Sequence, residues 1–169
     1  GCAVIPVADV SSETTPPVIE QEPPAPEAPW GSDDGSTVVI EFERDGETHT
    51  VRGEIPLGLI SCQADGKVAI ASKLPDPGIG VMFQYEAATP VSTSAWVVGE
   101  EFAAQILATG TVALSPDEAG GQTFSVVGAT GRASVLPREA GKDSIGDYEF
   151  GPDDQVEATS SFIVTCPAP

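Results

Sequence analysis

The sequence has no Asn, one His, one Met, two Trp and seven Lys plus Arg among 169 residues. Each shortage closes off a class of function. Without Asn there is no N-linked glycosylation site. Seven cations against 26 acids give a formal net charge of -19. Such a chain lacks the clustered cations a phosphate backbone requires, so nucleic acid is not an expected partner. A single imidazole and no CxxC spacing cannot furnish a closed zinc shell, and no cofactor is expected. No apolar run approaches the roughly 18 residues that span a bilayer. GxSxG, phosphate-loop and HExxH patterns are all missing, which removes the common hydrolase, nucleotide and metalloprotease signals. A triad would need His49 to meet both a serine and a carboxylate through the fold. Lying between Thr48 and Thr50, His49 reads instead as a solvated strand residue, and the chain is expected not to be an enzyme.

What the chain does have is Gly and Pro, 18 and 16 residues, a composition that disfavours long helices. It also has an odd number of cysteines: Cys2, Cys62 and Cys166. An odd count asks for a separate task for one of them. Gly1-Cys2 looks like the tail of a bacterial lipobox, in which a small residue precedes a cysteine that is lipidated on sulfur after the signal peptide is removed. The alternative is a chance cysteine behind an appended residue. Lipidation at Cys2 would tether the protein to a membrane without spanning it. Cys62 and Cys166 remain as a pair, and a disulfide between them fits an oxidising compartment outside the cytosol. Closing a loop of about 100 residues is worth roughly 4.7 kcal/mol in the chain-entropy account.

The chain divides near residue 37. Residues 1–37 carry seven prolines from Pro6 to Pro29, seven acids and no Lys or Arg, the composition of an extended, self-repelling linker. Ser11, Ser12, Thr14 and Thr15 beside Pro16-Pro17 read either as an O-glycosylated stalk or as an unmodified spacer. Residues 38–169 read as one β-rich extracytoplasmic domain. Val38, Ile40 and Phe42 alternate with Val39, Glu41 and Glu43, Asp45-Gly46 marks a hairpin turn, and Thr48 to Arg52 returns. A second hairpin is expected from Leu59 to Cys62, through Asp65-Gly66, to Val68–Ser72. Further strands are expected at 80–85, 91–98, 102–108, 111–114, 123–127, 132–136 and 159–166. Glu100 to Ala108 also suits a short helix, because Phe102 and Ile106 sit four apart behind an acidic start. Many short strands with frequent turn signals predict a mainly β fold, an antiparallel β-sandwich or open half-barrel. Asp143, Asp147, Glu149, Asp153 and Asp154 depart from the calcium-loop spacing and read as a solvated acidic loop, so no metal is expected.

In order along the chain, Cys2 with its Ser/Thr/Pro linker, Val38-Val39-Ile40, Val51-Arg52-Gly53, Cys62, Asp65 to Ile70, Phe124 to Gly131 and Phe162 to Cys166 resemble the mycobacterial nineteen-kilodalton lipoprotein antigen family. The likeness covers most of residues 36–166. Extra residues at Glu54 to Leu59, a longer loop at Pro137 to Pro152 and greater acidity set this chain apart. The resemblance implies an actinobacterial surface lipoprotein on the outer face of the cell membrane or in the envelope, with no catalytic residues. Two functions compete. One is a non-enzymatic interaction module that meets an envelope or host protein; the other is a carrier of a small apolar or lipidic molecule, suggested by Ala69, Ala71, Gly78 and Gly80 near apolar strands. A pocket of about 300 Å³ or more would favour the carrier, and a filled core with an apolar surface patch the interaction module.

Overall fold

Period-two alternation of apolar and polar residues becomes antiparallel strand wherever the chain is described, namely residues 36–55, 68–72, 78–116 and 120–166 of a computed structural model. The strands are β1 Ser36–Arg44, β2 Glu47–Ile55, β3 Val68–Ser72, β4 Ile79–Gln84, β5 Pro90–Val98, β6 Phe102–Thr111, β7 Ala113–Pro116, β8 Gln122–Pro137 and β9 Gln155–Cys166. They form one sheet in the order β2-β1-β9-β8-β6-β5-β4-β3, with β7 paired to β8. Every pairing is antiparallel. The expected mainly β fold is therefore present, as an open antiparallel half-barrel. The turn between β1 and β2 is Asp45-Gly46, both at positive φ (56° and 81°), as the mirror-image hairpin turns require.

The sheet curls until its own two ends face each other across a shared core. Val38, Ile40 and Phe42 of β1, Val81 and Phe83 of β4, and Phe124, Phe162 and Val164 from β8 and β9 all point inward and are buried. Phe83 lies 5.4 Å from both Phe124 and Phe162, edge-on to the first and stacked with the second. Alanines occupy the tightly coiled middle, among them Ala104 and Ala108 of β6, Ala129 and Ala133 of β8, and Ala158 of β9. Two glycines mark where backbones approach most closely. A Cβ at Gly131 would sit 1.9 Å from the Leu107 carbonyl oxygen across the β6–β8 pair, and one at Gly53 would sit 2.7 Å from Ile79 Cδ1 where β2 meets β4. At Gly131 the clash is with backbone and would force the strands apart, whereas at Gly53 the Ile79 and Val97 side chains would have to move.

Two sequence expectations change, and a third, which left an alternative open, holds. Residues 123–127 and 132–136 are one bent strand, β8; the intervening glycines read as a break but take φ of +70° only at Gly128. There the register with β9 shifts between Ser160 and Phe162, and the Gly128 N–H donates to Ser161 Oγ at 2.9 Å. Residues 111–114 straddle the end of β6 and the start of β7 around buried Val112. Residues 102–108 are strand as expected, and the alternative helix is excluded: Ala104, Ile106 and Ala108 are buried while Gln105 and Leu107 are exposed. A spacing of four places two residues on one face of a strand as well as of a helix, so that spacing could not discriminate. The first arm and turn of the second expected hairpin lie outside the described residues; its second arm is β3, which pairs with β4.

The acidic segment after β8 folds around two 3-10 turns, Ile145–Asp147 and Pro152–Asp154. Tyr148 is buried, accepting from the Glu139 N–H at 3.0 Å and donating to the Lys142 carbonyl at 2.9 Å. Arg138 donates to the Gly99 carbonyl at 2.8 Å and pairs with Asp143. This ties the loop to the β5–β6 turn.

The inner face of β9 supplies a paired test of the packing. Phe162 is fully buried, whereas Ser160, two residues earlier on the same face, is 1 % exposed with no partner for its hydroxyl among the described residues. Phe162→Ala should cost about 3–5 kcal/mol through lost burial and a cavity. Ser160→Ala should be neutral or stabilise by about 1 kcal/mol, because it removes a buried hydroxyl that has no bond to lose. Urea unfolding of both variants measures the two effects.

Candidate binding face

A strand offers alternate residues to opposite faces, so outward positions on this curled sheet should be polar. On β4, β5 and β6 they are not uniformly so. Met82 pairs with Ser94, Ser94 with Leu107, and Leu107 with Arg132, forming one row across four strands. A second row runs Trp96, Gln105, Ser134, Gln155, and a third Ser92, Thr109, Thr130, Thr159. At the usual strand spacing, each row is roughly 14 Å from first to last residue. Leu107 is 70 % exposed and Met82 45 %. These rows border a surface depression of about 750 Å³. No Asp or Glu lines it, although 19 acids fall within residues 38–169.

The character of the face changes at Arg132. A second depression of about 580 Å³ shares Thr130, Gly131 and Arg132 with the first, but its far side carries Glu41, Glu43 and Glu157. One side therefore presents carboxylates; the other presents amides, hydroxyls, an indole, a thioether and an isobutyl group. The neutral side can stack against and hydrogen-bond a ligand. No Asp, Glu, His, Cys, Lys or Tyr is among the residues lining it. Alternation that fails in the polar phase, Trp96 after Ser92 and Ser94, is the signal by which this face could have been found in the sequence.

The residues singled out by sequence are not gathered at this face. Cys2 and Cys62 lie outside the described residues. Cys166 ends β9, is buried in the core and is disulfide-bonded. His49 is not the solvated strand residue expected: it is half-buried, stacked on its cross-strand neighbour Phe42 at 5.3 Å and edge-on to Phe102 at 5.2 Å. Sequence alone could not show this, because Phe102 arrives from a distant strand. In the acidic loop, Asp143 pairs with Arg138, Asp147 accepts from the Ser144 N–H at 3.2 Å and Asp154 from the Gly151 N–H at 2.7 Å. These carboxylates fold the loop.

The small residues cited for a carrier serve the sheet as well. The Gly78 carbonyl accepts from the Val98 N–H at 2.6 Å, Gly80 is a paired residue of β4, and Ala69 and Ala71 stand in β3. The seam along β2 has an opening of about 350 Å³, whose wall includes Glu54, Arg138 and Asp143. A charged mouth is a poor match to an apolar ligand. The depressions exceed the size that would favour a carrier, yet the 750 Å³ and 580 Å³ ones lie on the outer face, while the inward side chains form one buried cluster. Comparison with family models, curated proteins and solved structures finds no match to this chain.

If the outer face is a free surface, neighbouring residues of β6 should respond oppositely to truncation. Leu107→Ser should leave unfolding free energy within about 0.5 kcal/mol of the parent, as for other surface positions. Ile106→Ala should cost about 2–5 kcal/mol. Chemical denaturation of the two variants checks this contrast.

Proposed function

We propose that the chain is a lipid-anchored envelope lipoprotein, related to the nineteen-kilodalton antigens it resembles, whose β-domain is a non-enzymatic binding module displayed outside the cytoplasm. The observation that carries the binding half is a neutral, partly apolar outer sheet face over a core filled by its own side chains. A carrier would instead need an enclosed apolar space, and the inward face is occupied by Phe83, Phe124, Phe162 and their neighbours.

The anchoring half rests on Gly1-Cys2 and the acidic, proline-rich residues that follow. Composition of that kind is expected to give a self-repelling linker. The domain itself carries a formal charge of -12 over residues 38–169, so an anionic membrane surface repels it within a Debye length. Together these features hold the binding face away from the membrane and towards the outer envelope. The remaining cysteine, Cys62, is the partner we assign to Cys166, which fits an oxidising location.

Cys2→Ala, expressed in an actinobacterial host with a lipoprotein signal peptide, should move the protein from the membrane to the soluble fraction, since a multi-chain acyl anchor gains about 0.8 kcal/mol per buried CH₂. Unchanged partition of the variant would refute the anchor. Non-reducing peptide mapping should recover a Cys62–Cys166 cross-link; a Cys2–Cys166 cross-link, or free Cys62 in protein never exposed to reductant, would refute both the pairing and the separate role of Cys2.

A further inference from the structure

We propose that the neutral outer face of β4, β5, β6 and β8 binds an uncharged oligosaccharide. This rests on the binding-module reading above and names the ligand class for that face. The charge pattern sets the first limit. Carboxylates are absent from the lining of the 750 Å³ depression in a domain rich in them, and Arg132 is its one cation. A polycation would find no counter-charge there, and a polyanion would meet a single positive group beside Glu157. The matching ligand is uncharged.

The placement of apolar groups sets the second. Met82 and Leu107 stand in one row with Ser94 between them, and Trp96 stands in the next row beside Gln105. A lipid tail favours a continuous apolar groove, and a protein partner favours a desolvated central anchor ringed by polar contacts. Here Ser94 separates Met82 from Leu107 and Gln105 stands beside Trp96, while Ile70 of β3 is the residue opposite Met82 on its other side. A sugar chain has the complementary alternation: C–H faces that pack on an indole, thioether or isobutyl group, and hydroxyls that both donate and accept. Gln105 and Gln155 offer the same double capacity, as do Ser92 and Thr109. The depression is lined by residues of β4, β5, β6, β8 and β9, which suits a chain laid across the strands.

Met82 is the only methionine in the sequence, so the full chain labelled with methyl-carbon-13 methionine gives one methyl resonance, located on this face. Titration with neutral glucose, mannose and galactose hexasaccharides should shift that resonance saturably for at least one of them. Trp96→Ala should weaken that binding at least tenfold, and Leu107→Asp, at a position exposed enough to spare the fold, should weaken it similarly. His49→Phe should leave it unchanged. No shift with any hexasaccharide at millimolar concentration would overturn the oligosaccharide assignment. If phosphatidylcholine vesicles shift the resonance and the sugars do not, the assignment falls while the binding face stands. If a hexasaccharide binds equally well to Trp96→Ala and Leu107→Asp without moving the methyl signal, the face itself is wrong.

Discussion

A single sheet must supply both walls of its own core, and that constraint governs the rest of the molecule. No helix covers the inner face among the described residues, so apolar side chains from β1 and β2 can leave water only by meeting those from β4, β5 and β8 across the curl. Strong coiling demands short side chains where strands converge. The alanines of β6 and β8 meet that demand, and Gly131 and Gly53 mark the points where even a methyl group would collide. Large aromatic residues then fill the space that remains, with Phe83 between Phe124 and Phe162.

A core filled in this way leaves the outer face as the surface free to vary. On that face, outward Glu41, Glu43, Gln105, Thr109 and Glu157 are polar and exposed. Its composition on β4 to β6 departs from this through Met82, Trp96 and Leu107, which contribute nothing to the buried cluster. Separation of the three-carboxylate side from the neutral side, with Arg132 between them, gives the face a direction. The net charge of the domain adds a second, longer-range effect. It disfavours anionic surfaces while leaving short-range contact with an uncharged ligand untouched, because dispersion and neutral hydrogen bonds carry no monopole.

Much of the fold was legible because period two is a strong signal when one face is buried and the other wet. The β1–β2 hairpin is the clearest case: Asp45-Gly46 separates two alternating runs, and the turn forms there. The ambiguity at residues 102–108 arose because Phe102 and Ile106 share a face in either secondary structure; burial of Ala104 and Ala108 with exposure of Gln105 resolves it. β8 was read as two strands because Gly128 and Gly131 resemble breaks, whereas one is a bulge and the other a close contact within a continuous ladder. The outer face that we propose as the binding surface was missed for a different reason. An apolar residue in a strand reads as core until register places it, and Leu107 is distinguishable from Ile106 only by which side of the sheet it occupies. His49 escaped for the same reason, since its aromatic partners belong to other strands.

The central claim is that this domain binds on its outer sheet face and holds nothing inside. Native mass spectrometry of the protein released gently from its own envelope tests it most directly. The account predicts the mass of the polypeptide with its covalent modifications alone, with no stoichiometric apolar molecule retained. A lipid-sized adduct that stays bound until the protein unfolds, and is unaffected by Leu107→Asp, would show that the interior is the ligand site.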